Sequence, residues 1–422
     1  SKMIGLSLEK KIKLQLNKPF KHQKDADVLL AKIQKAQLFE GGWAWWENGH
    51  ANFHITNYIT AALLQYRDNP LVESNIRNAF LYLNNRLPYL DKYEVLAALS
   101  TLSAGGHTMN YADRMQQLKF DSLSQHQQWQ WVKIRQEQGL SYKKELETLI
   151  AQKINTMLGG AHWGKNNYSW YSNDVATTVL AFKVLEKERI YPQLLQAIIQ
   201  YFISKRANGY WANTVETASI VQTILTNIIS ENANFMQPAS ISVSGDSNFI
   251  IQSFPAEITL RPLVNQNITF AKTGGGLVYL TAYQRFFNSD PTPVKENFEI
   301  STWFEKNGQH VNTIKSGENI KMVISLDVKA DAEFVLASLP IPAGCIFVNK
   351  NNSDRRIYKE YNKEKLQLFA EMLRKGVHRF EVELEPRYNG QFTLNPAKAE
   401  LMYFPVFFGR NDSRKIEIQE SN

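Results

Sequence analysis

The stretch FEGGWAWWENGHANFHITNYITAAL, residues 39–63, places two adjacent glycines and three tryptophans directly ahead of a run with helical spacing. After Ile55 the apolar positions fall at Tyr58, Ile59, Ala62, Leu63 and Tyr66, the three-four-seven stripe of an amphipathic helix. The arrangement returns twice, as AHWGKNNYSWYSNDVATTVLAF (161–182) and as NGYWANTVETASIVQTIL (208–225). A glycine and tryptophan loop that opens three times into a helix carrying Thr or Ser near its start reads as a repeated structural unit. Glycine lets such a loop turn tightly, and an indole can cover a neighbouring helix end while its N–H takes an orphan carbonyl. In the third copy Asn213 stands at the capping position with Glu216 three residues on, the spacing of a capping box. Trp43, Trp163 and Trp211 are therefore expected to pack against helix ends. Trp45 and Trp46 are adjacent, and a loop does not readily bury both, so one of them is expected at the surface.

Outward from these loops the helical period holds from Leu6 to about Ile229. It is carried, for example, by Leu194, Leu195, Ile198, Ile199 and Phe202, and by Ala218, Val221, Leu225 and Ile228. No single stripe persists as a coiled coil would require, so a helical array is predicted. From about Ser240 the period becomes two. NIKMVISLDV puts Ile320, Met322, Ile324, Leu326 and Val328 on one face, and HRFEVELEP alternates Phe380, Val382 and Leu384 with charges. Asn389-Gly390 is a favoured hairpin dipeptide and predicts a turn into the strand of Phe392 and Leu394. The expected division is a helical domain over 1–232, a small linking β module over 233–292 and a β-sandwich over 293–422. Exposed boundaries are expected at Glu231–Pro238 and in NSDPTPVKEN.

The chain has 422 residues, enough for two or three cores, with 44% hydrophobic and 21% charged residues. No apolar run reaches the length of a membrane span. The net charge of +8 is scattered, with no basic stripe or tail, which argues against nucleic acid as a partner. One cysteine, Cys345, excludes an intrachain disulfide framework and a cysteine zinc cluster. The opening SKMIGLSLEKK lacks the apolar core of a signal peptide, so the chain reads as cytosolic or as a mature piece of something longer.

Candidate chemistry is sparse. His50, His54 and His162 lie in or beside the aromatic loops, yet no Ser-His-Asp or Cys-His spacing accompanies them. His50 and His54 are four apart, but Gly49 and Asn52 argue for loop, so no metal site is expected. A lyase-like alternative would use Asn52, His54 and Tyr58 for proton transfer and charge neutralisation, with Trp43, Trp45 and Trp46 as sugar platforms. SGDSNF, TGGG and AGGH lack the strand, lysine and helix of a phosphate loop. No cofactor and no catalytic residue is assigned. KNNSDRRIYKEYNKEK reads as a solvated loop between strands, with a partner-binding surface as the alternative.

Aromatic loops alternating with helix pairs resemble the α/α toroid (terpenoid cyclase-like helical barrel), a fold shared by cyclases, prenyltransferases, some polysaccharide lyases and the thioester domain of the α2-macroglobulin and complement family. The residues favour the last of these. NGYWANTVETASIVQTIL, SWYSNDVATTVLAFKVL and FEGGWAWWENGHANFHITNYI resemble helix starts and the aromatic loop of its bacterial members. LPIPAG and LRKGVHRFEVELEPRYNGQFTLNPAKAELMYFPVFFGRND resemble its terminal receptor-binding-like macroglobulin sandwich. The resemblance covers nearly the whole chain. It implies the C-terminal part of a broad-spectrum protease inhibitor of the bacterial periplasm or cell envelope, often a lipoprotein, whose partners are target proteases and the rest of its own chain. The family's thioester joins the cysteine and glutamine of Cys-x-Glu-Gln. That motif does not occur here, and Cys345 in PAGCIF does not match it. In some thioester relatives a loop histidine assists acyl transfer, a role that the resemblance would give to His54 or His162.

Overall fold

The computed structural model describes residues 2–15, 18–46, 49–165, 173–206, 211, 213–231, 238–245, 248–260, 267–275, 278, 280–283, 288, 291–350 and 356–420. Two compact units emerge. One comprises Ser1–Ile154 with Gly160–Glu231, the other Asn155–Gly159 with Asn232–Asn422. That five-residue excursion of the helical half into the second unit had no signature in the period of the sequence.

The first unit is helical: α1 (Lys2–Gln15), α2 (Gln23–Lys35), α3 (Phe53–Leu63), α4 (Glu73–Arg86), α5 (Lys92–Ala104), α6 (Tyr111–Met115), α7 (Gln125–Glu137), α8 (Lys143–Ala151), α9 (Asp174–Glu188), α10 (Pro192–Ser204) and α11 (Thr214–Glu231). Short strands β1 (Ile154–Asn155) and β2 (Ala161–His162) interrupt the series. Alternate helices pack side by side: α3 on α5, α5 on α7, α7 on α9, α9 on α11 and α11 on α1. Gln222 of α11 donates to Gln65 at 2.7 Å, and Tyr66 donates to the Met3 carbonyl of α1 at 2.6 Å. The last helices therefore return to the end of α3, and the circuit of alternate helices closes. Within the circuit the helices are enclosed on most sides. Every residue of α7 from His126 to Val132 is buried, which no single amphipathic stripe would produce. Sharp caps fix the ends, with capping boxes at Asp91/Glu94 and Ser124/Gln127. The side chains of Leu225 and Ile228, part of the stripe read from α11, lie outside the described residues, as do residues 232–237 of the expected boundary.

The second unit opens with a three-stranded sheet, β3 (Ser240–Ser244) between β4 (Phe249–Ile251) and β5 (Thr269–Thr273). Then follow β6 (Phe298–Lys306), β7 (Gln309–Val311), β8 (Ile314–Lys315), β9 (Ile320–Val328), β10 (Ala332–Pro340), β11 (Cys345–Phe347), β12 (Ile357–Tyr361), β13 (Lys365–Leu373), β14 (Gly376–Pro386), β15 (Gly390–Leu394), β16 (Lys398–Leu401), β17 (Phe404–Arg410) and β18 (Arg414–Gln419). Two antiparallel five-stranded sheets, ordered β12-β13-β10-β16-β17 and β11-β14-β9-β6-β7, hold between them a core that includes Phe298, Ile324, Leu384 and Ala399. A third sheet orders β15-β18-β8. The period-two reading of β9 and β14 agrees with their burial, including Ile320, Met322, Ile324, Leu326 and Val328. Val294 and Arg410 exchange backbone hydrogen bonds of 2.9 Å each way, anchoring the chain entering β6. From the excursion, Met157 joins this core and its N–H donates to the Asp331 carbonyl at 2.9 Å.

The Asn389-Gly390 hairpin is not formed. β14 lies in a five-stranded sheet, while β15 pairs with β18 in the third sheet, Phe392 opposite Ile416. Pro386 has no N–H with which to extend the β14 ladder, and the N–H groups of Arg387 and Tyr388 both turn to the Gly344 carbonyl, at 2.8 and 3.2 Å. Gly390, at φ 140°, therefore lies in a crossover between sheets instead of a two-residue turn.

At Gly409 of β17 a Cβ would stand 1.8 Å from the Phe298 carbonyl oxygen of β6. Both are backbone, so the sheets cannot yield without moving. Gly409→Ala is expected to cost about 3 kcal/mol or more, at the upper end of overpacking effects. Chemical denaturation of the sandwich transition measures it, and an unchanged midpoint would contradict the close approach.

Candidate functional site

The tryptophan loops are built by one repeated hydrogen-bonding pattern. Trp43 Nε1 donates to Ile33 O at 2.8 Å, Trp163 Nε1 to Leu149 O at 2.6 Å and Trp211 Nε1 to Phe202 O at 2.7 Å. Each acceptor lies in the last turn of the helix before the loop, α2, α8 and α10 respectively. A helix end leaves carbonyls without intrahelical donors. In α2, Ala36 N–H takes Lys32 O and Gln37 N–H takes Gln34 O, which leaves Ile33 O to the indole. In α10, Lys205 and Arg206 take Tyr201 O and Ile203 O, which leaves Phe202 O.

The loop is tied to the next helix as well. Trp43 N–H donates to Thr56 Oγ1 at 2.9 Å, and Trp163 N–H to Thr178 Oγ1 at 3.0 Å. Asn52, Asn173 and Asn213 cap α3, α9 and α11, accepting from Ile55, Ala176 and Glu216 N–H at 3.2, 2.7 and 2.9 Å. Thr177 and Thr217 hydroxyls donate back to the Asn173 and Asn213 carbonyls. The signal for this was present in the sequence as Asn-x-x-x-Thr in all three copies, Asn52/Thr56, Asn173/Thr177 and Asn213/Thr217. Trp43 and Trp163 are 2% and 0% exposed, and Trp163 meets Trp129 edge-on at 5.1 Å. Trp211 is part-buried beneath Arg206. Trp45 and Trp46 are 58% and 82% exposed, with Phe39 also in solvent.

Behind the second and third loops the amino ends of α7, α9 and α11 enclose a polar cluster that the sequence did not announce. Asn173 Nδ2 donates to Glu216 Oε1 at 2.7 Å, joining the two caps through buried side chains. Glu216, at the capping-box position, thus has its carboxylate engaged by the neighbouring helix's cap. Tyr201 of α10 donates to Asp174 Oδ2 at 2.8 Å, and Lys205 Nζ lies 3.8 Å from the same oxygen. Both acids sit in first turns, where the helix dipole favours negative charge. His162 is buried and stacks on Tyr201, centroids 4.5 Å apart at 14°. His126 Nδ1 lies 3.1 Å from Thr177 Oγ1. The single Thr177 proton goes to Asn173 O, so Nδ1 carries the hydrogen of the His126 contact. Burial pushes the His126 pKa down to about 4, so the ring is neutral.

His162 and His54 are not brought together. His54 is half-exposed on α3, with Nε2 3.4 Å from Glu94 Oε1, and His50 is exposed in the preceding loop. Asn52 Oδ1 is committed to its cap, and Trp43 offers no face to a sugar ring, so the lyase grouping of Asn52, His54 and Tyr58 with that platform is not assembled. Among the described residues no cluster of three His, Cys, Asp or Glu has metal-binding geometry. Cys345 is buried in β11, and burial raises its thiol to about 12, far from a thiolate at neutral pH.

Residues 298–405 match the family model of the bacterial alpha-2-macroglobulin MG10 domain. A curated relative, an alpha-2-macroglobulin homolog of Nostoc sp. (strain PCC 7120), is 20% identical over 466 aligned positions, covering 95% of this chain and 24% of its own length. This chain therefore spans about a quarter of that relative. Trypsin-activated alpha-2-macroglobulin from Escherichia coli is similar in fold, with a TM-score of 0.50 and 12% identity over 98% of this chain and 31% of that one. The native Escherichia coli protein from domain MG7 to the C-terminus gives a TM-score of 0.42 and 12% identity, over 99% and 72%.

Two outcomes follow from this geometry. Trp43→Phe, which keeps a ring but leaves Ile33 O without its donor, should lose about 1–3 kcal/mol, and Trp163→Ala about 3–5 kcal/mol, whereas Trp46→Ala should stay within about 0.5 kcal/mol. Melting temperatures of the three variants decide it. For His126 the folded pKa lies below the unfolded 6.5, so its contribution is whole above pH 6.5 and is lost as pH falls through 4. About 3 kcal/mol should disappear across that window. His126→Gln should move acid unfolding of the helical unit to lower pH, followed by far-ultraviolet circular dichroism.

Proposed function

We propose that this chain, which carries a bacterial alpha-2-macroglobulin MG10 domain over residues 298–405, is the C-terminal portion of a broad-spectrum protease inhibitor of the bacterial cell envelope. That match carries the reading. In it, the helical unit is an α/α toroid of the thioester type, supported by the closed circuit of alternate helices from α1 to α11 and by the repeated indole-to-carbonyl ties. The three-stranded sheet of β3, β4 and β5 is the linking module, and the domain limits lie near 232 and 292.

The inhibitor works as a trap. A target protease cuts elsewhere in the longer protein, the domains rearrange, and the protease is enclosed; where the longer protein holds a thioester, an amine of the protease attacks its acyl carbon. The residues of this chain supply the scaffold. Buried Trp43 and Trp163 hold helix ends, and exposed Trp45 and Trp46 are contact aromatics for another domain of the same protein. His54, exposed beside Glu94, is better placed to assist acyl transfer than His162, which is enclosed against Tyr201. The protein is taken to face the periplasm through a lipid anchor outside this chain. No helix among the described residues is long and apolar enough to cross a membrane.

The test uses the full-length protein. After incubation with trypsin, activity on azocasein should fall while activity on a small chromogenic peptide persists, the mark of an enclosed and intact protease. Equal loss on both substrates, or none on either, would remove the trap reading. Binding to a glycan array that Trp46→Ala abolishes would favour the carbohydrate-binding alternative instead.

A further inference from the structure

Between α4, the chain that follows α3 and the loop that ends α5 lies a cleft of about 280 Å³. One face of α4 lines it: Glu73, Arg77 and Leu81 recur at four-residue spacing, with Ile76 and Phe80 on the adjoining row. Ile76 and Phe80 are each 8% exposed and make its floor, while Leu81 stands 53% exposed at its mouth. The His107 ring meets Phe80 edge-on, centroids 5.5 Å apart, and extends the aromatic surface. Gly105 permits this packing, because a Cβ there would stand 2.1 Å from Phe80 Cζ. Arg67 reaches the same loop: its Nη1 and Nη2 both lie 3.8 Å from where a Cβ of Gly106 would stand.

Four side chains that line this cleft are polar, and their polar atoms are unengaged. Among the described residues Arg67, Glu73, Arg77 and His107 make no side-chain hydrogen bond and no ion pair within 4.0 Å. Glu73 and Arg77 have the spacing at which a helix commonly forms a pair, yet they stay farther apart than that. A lone surface arginine is ordinarily solvated and needs no partner. Here two guanidiniums share one cleft with an aromatic and aliphatic floor, and two arginines against one carboxylate leave its lining net positive.

We propose that this cleft binds a small carboxylate with an apolar body, of the arylacetate class. The carboxylate takes N–H groups of Arg67 and Arg77, whose planar forks suit its two oxygens. The apolar body covers Ile76, Phe80 and the His107 ring and releases the water on them. A purely polar anion would leave that floor wet, and a neutral apolar molecule would leave the guanidiniums unused. The volume lies at the small end of ligand sites, which suits a molecule of one ring. Glu73 repels the same carboxylate and so holds the affinity down. The site stands independently of the inhibitor reading, since it rests on the helical unit alone.

Saturation-transfer NMR of phenylacetate with the whole chain at pH 7 tests it. Saturable binding is expected, half-complete near about 1 mM, the range open to a ligand of this size. Phenylacetamide, the same shape without the charge, and acetate, the charge without the ring, should each bind about tenfold or more weakly. Arg67→Gln and Arg77→Gln alter exposed side chains and should each weaken phenylacetate binding about five- to tenfold, whereas Glu73→Gln should strengthen it. Arg86→Gln, on the same helix but outside the cleft, should leave the affinity unchanged. No saturation by about 10 mM, equal binding of phenylacetamide, or unchanged affinity in both cleft arginine variants would overturn the site, as would an equal loss in Arg86→Gln.

Discussion

A tryptophan N–H given to a carbonyl in the last turn of the preceding helix is the contact on which the helical unit depends. Carbonyls at a helix end lack intrahelical donors, and a loop that carries a donor joins the end of one helix to the start of the next. Ile33, Leu149 and Phe202 receive it in turn, while Thr56 and Thr178 hold the same loops from the other side. The loop is thereby fixed at both ends, and the angle between successive helices with it. Gly42 shows how tight the fit is: a Cβ there would stand 2.6 Å from Ala51 and 2.9 Å from Thr56 Oγ1.

With the ends fixed, the helices meet closely enough to enclose polar groups, and three of these groups are answered by a partner from another helix. Asn173 reaches Glu216, Tyr201 reaches Asp174, and His126 reaches Thr177. Such pairs contribute little net energy but penalise any misalignment, because a displaced partner leaves a buried polar group unsatisfied. Packing of α7 between α5 and α9 accordingly specifies position as well as burial.

The second unit answers a different constraint. Two antiparallel sheets close over an apolar core, and their approach at Gly409 is set by the absence of a side chain. Asp331, buried at the turn between β9 and β10, is held by Arg374 at 2.5 Å and by the Lys375 N–H at 2.8 Å. The same residue's backbone receives the Met157 segment. A charge-assisted turn therefore organises chain from two distant parts of the sequence.

Local periodicity and residue chemistry determined much by themselves. The change from a period of 3.6 to one of two near residue 240 announced helices followed by strands, because backbone geometry alone fixes which side chains share a face. Glycine, indole and Asn-x-x-x-Thr marked the loops and caps, since these interactions span only a few residues. The burial of β9 and β14 was legible for the same reason. What the tertiary structure decided was every pairing between distant segments. Asn389-Gly390 has the local preferences of a hairpin, yet Pro386 and the Gly344 carbonyl send the chain to another sheet, where β18 is the better-placed partner. His126 and Asp331 look like ordinary polar residues in sequence. Only the packing of α5, α7 and α9, and of β9, β10 and the Met157 segment, removes water from them, and desolvation by remote neighbours leaves no trace in local spacing.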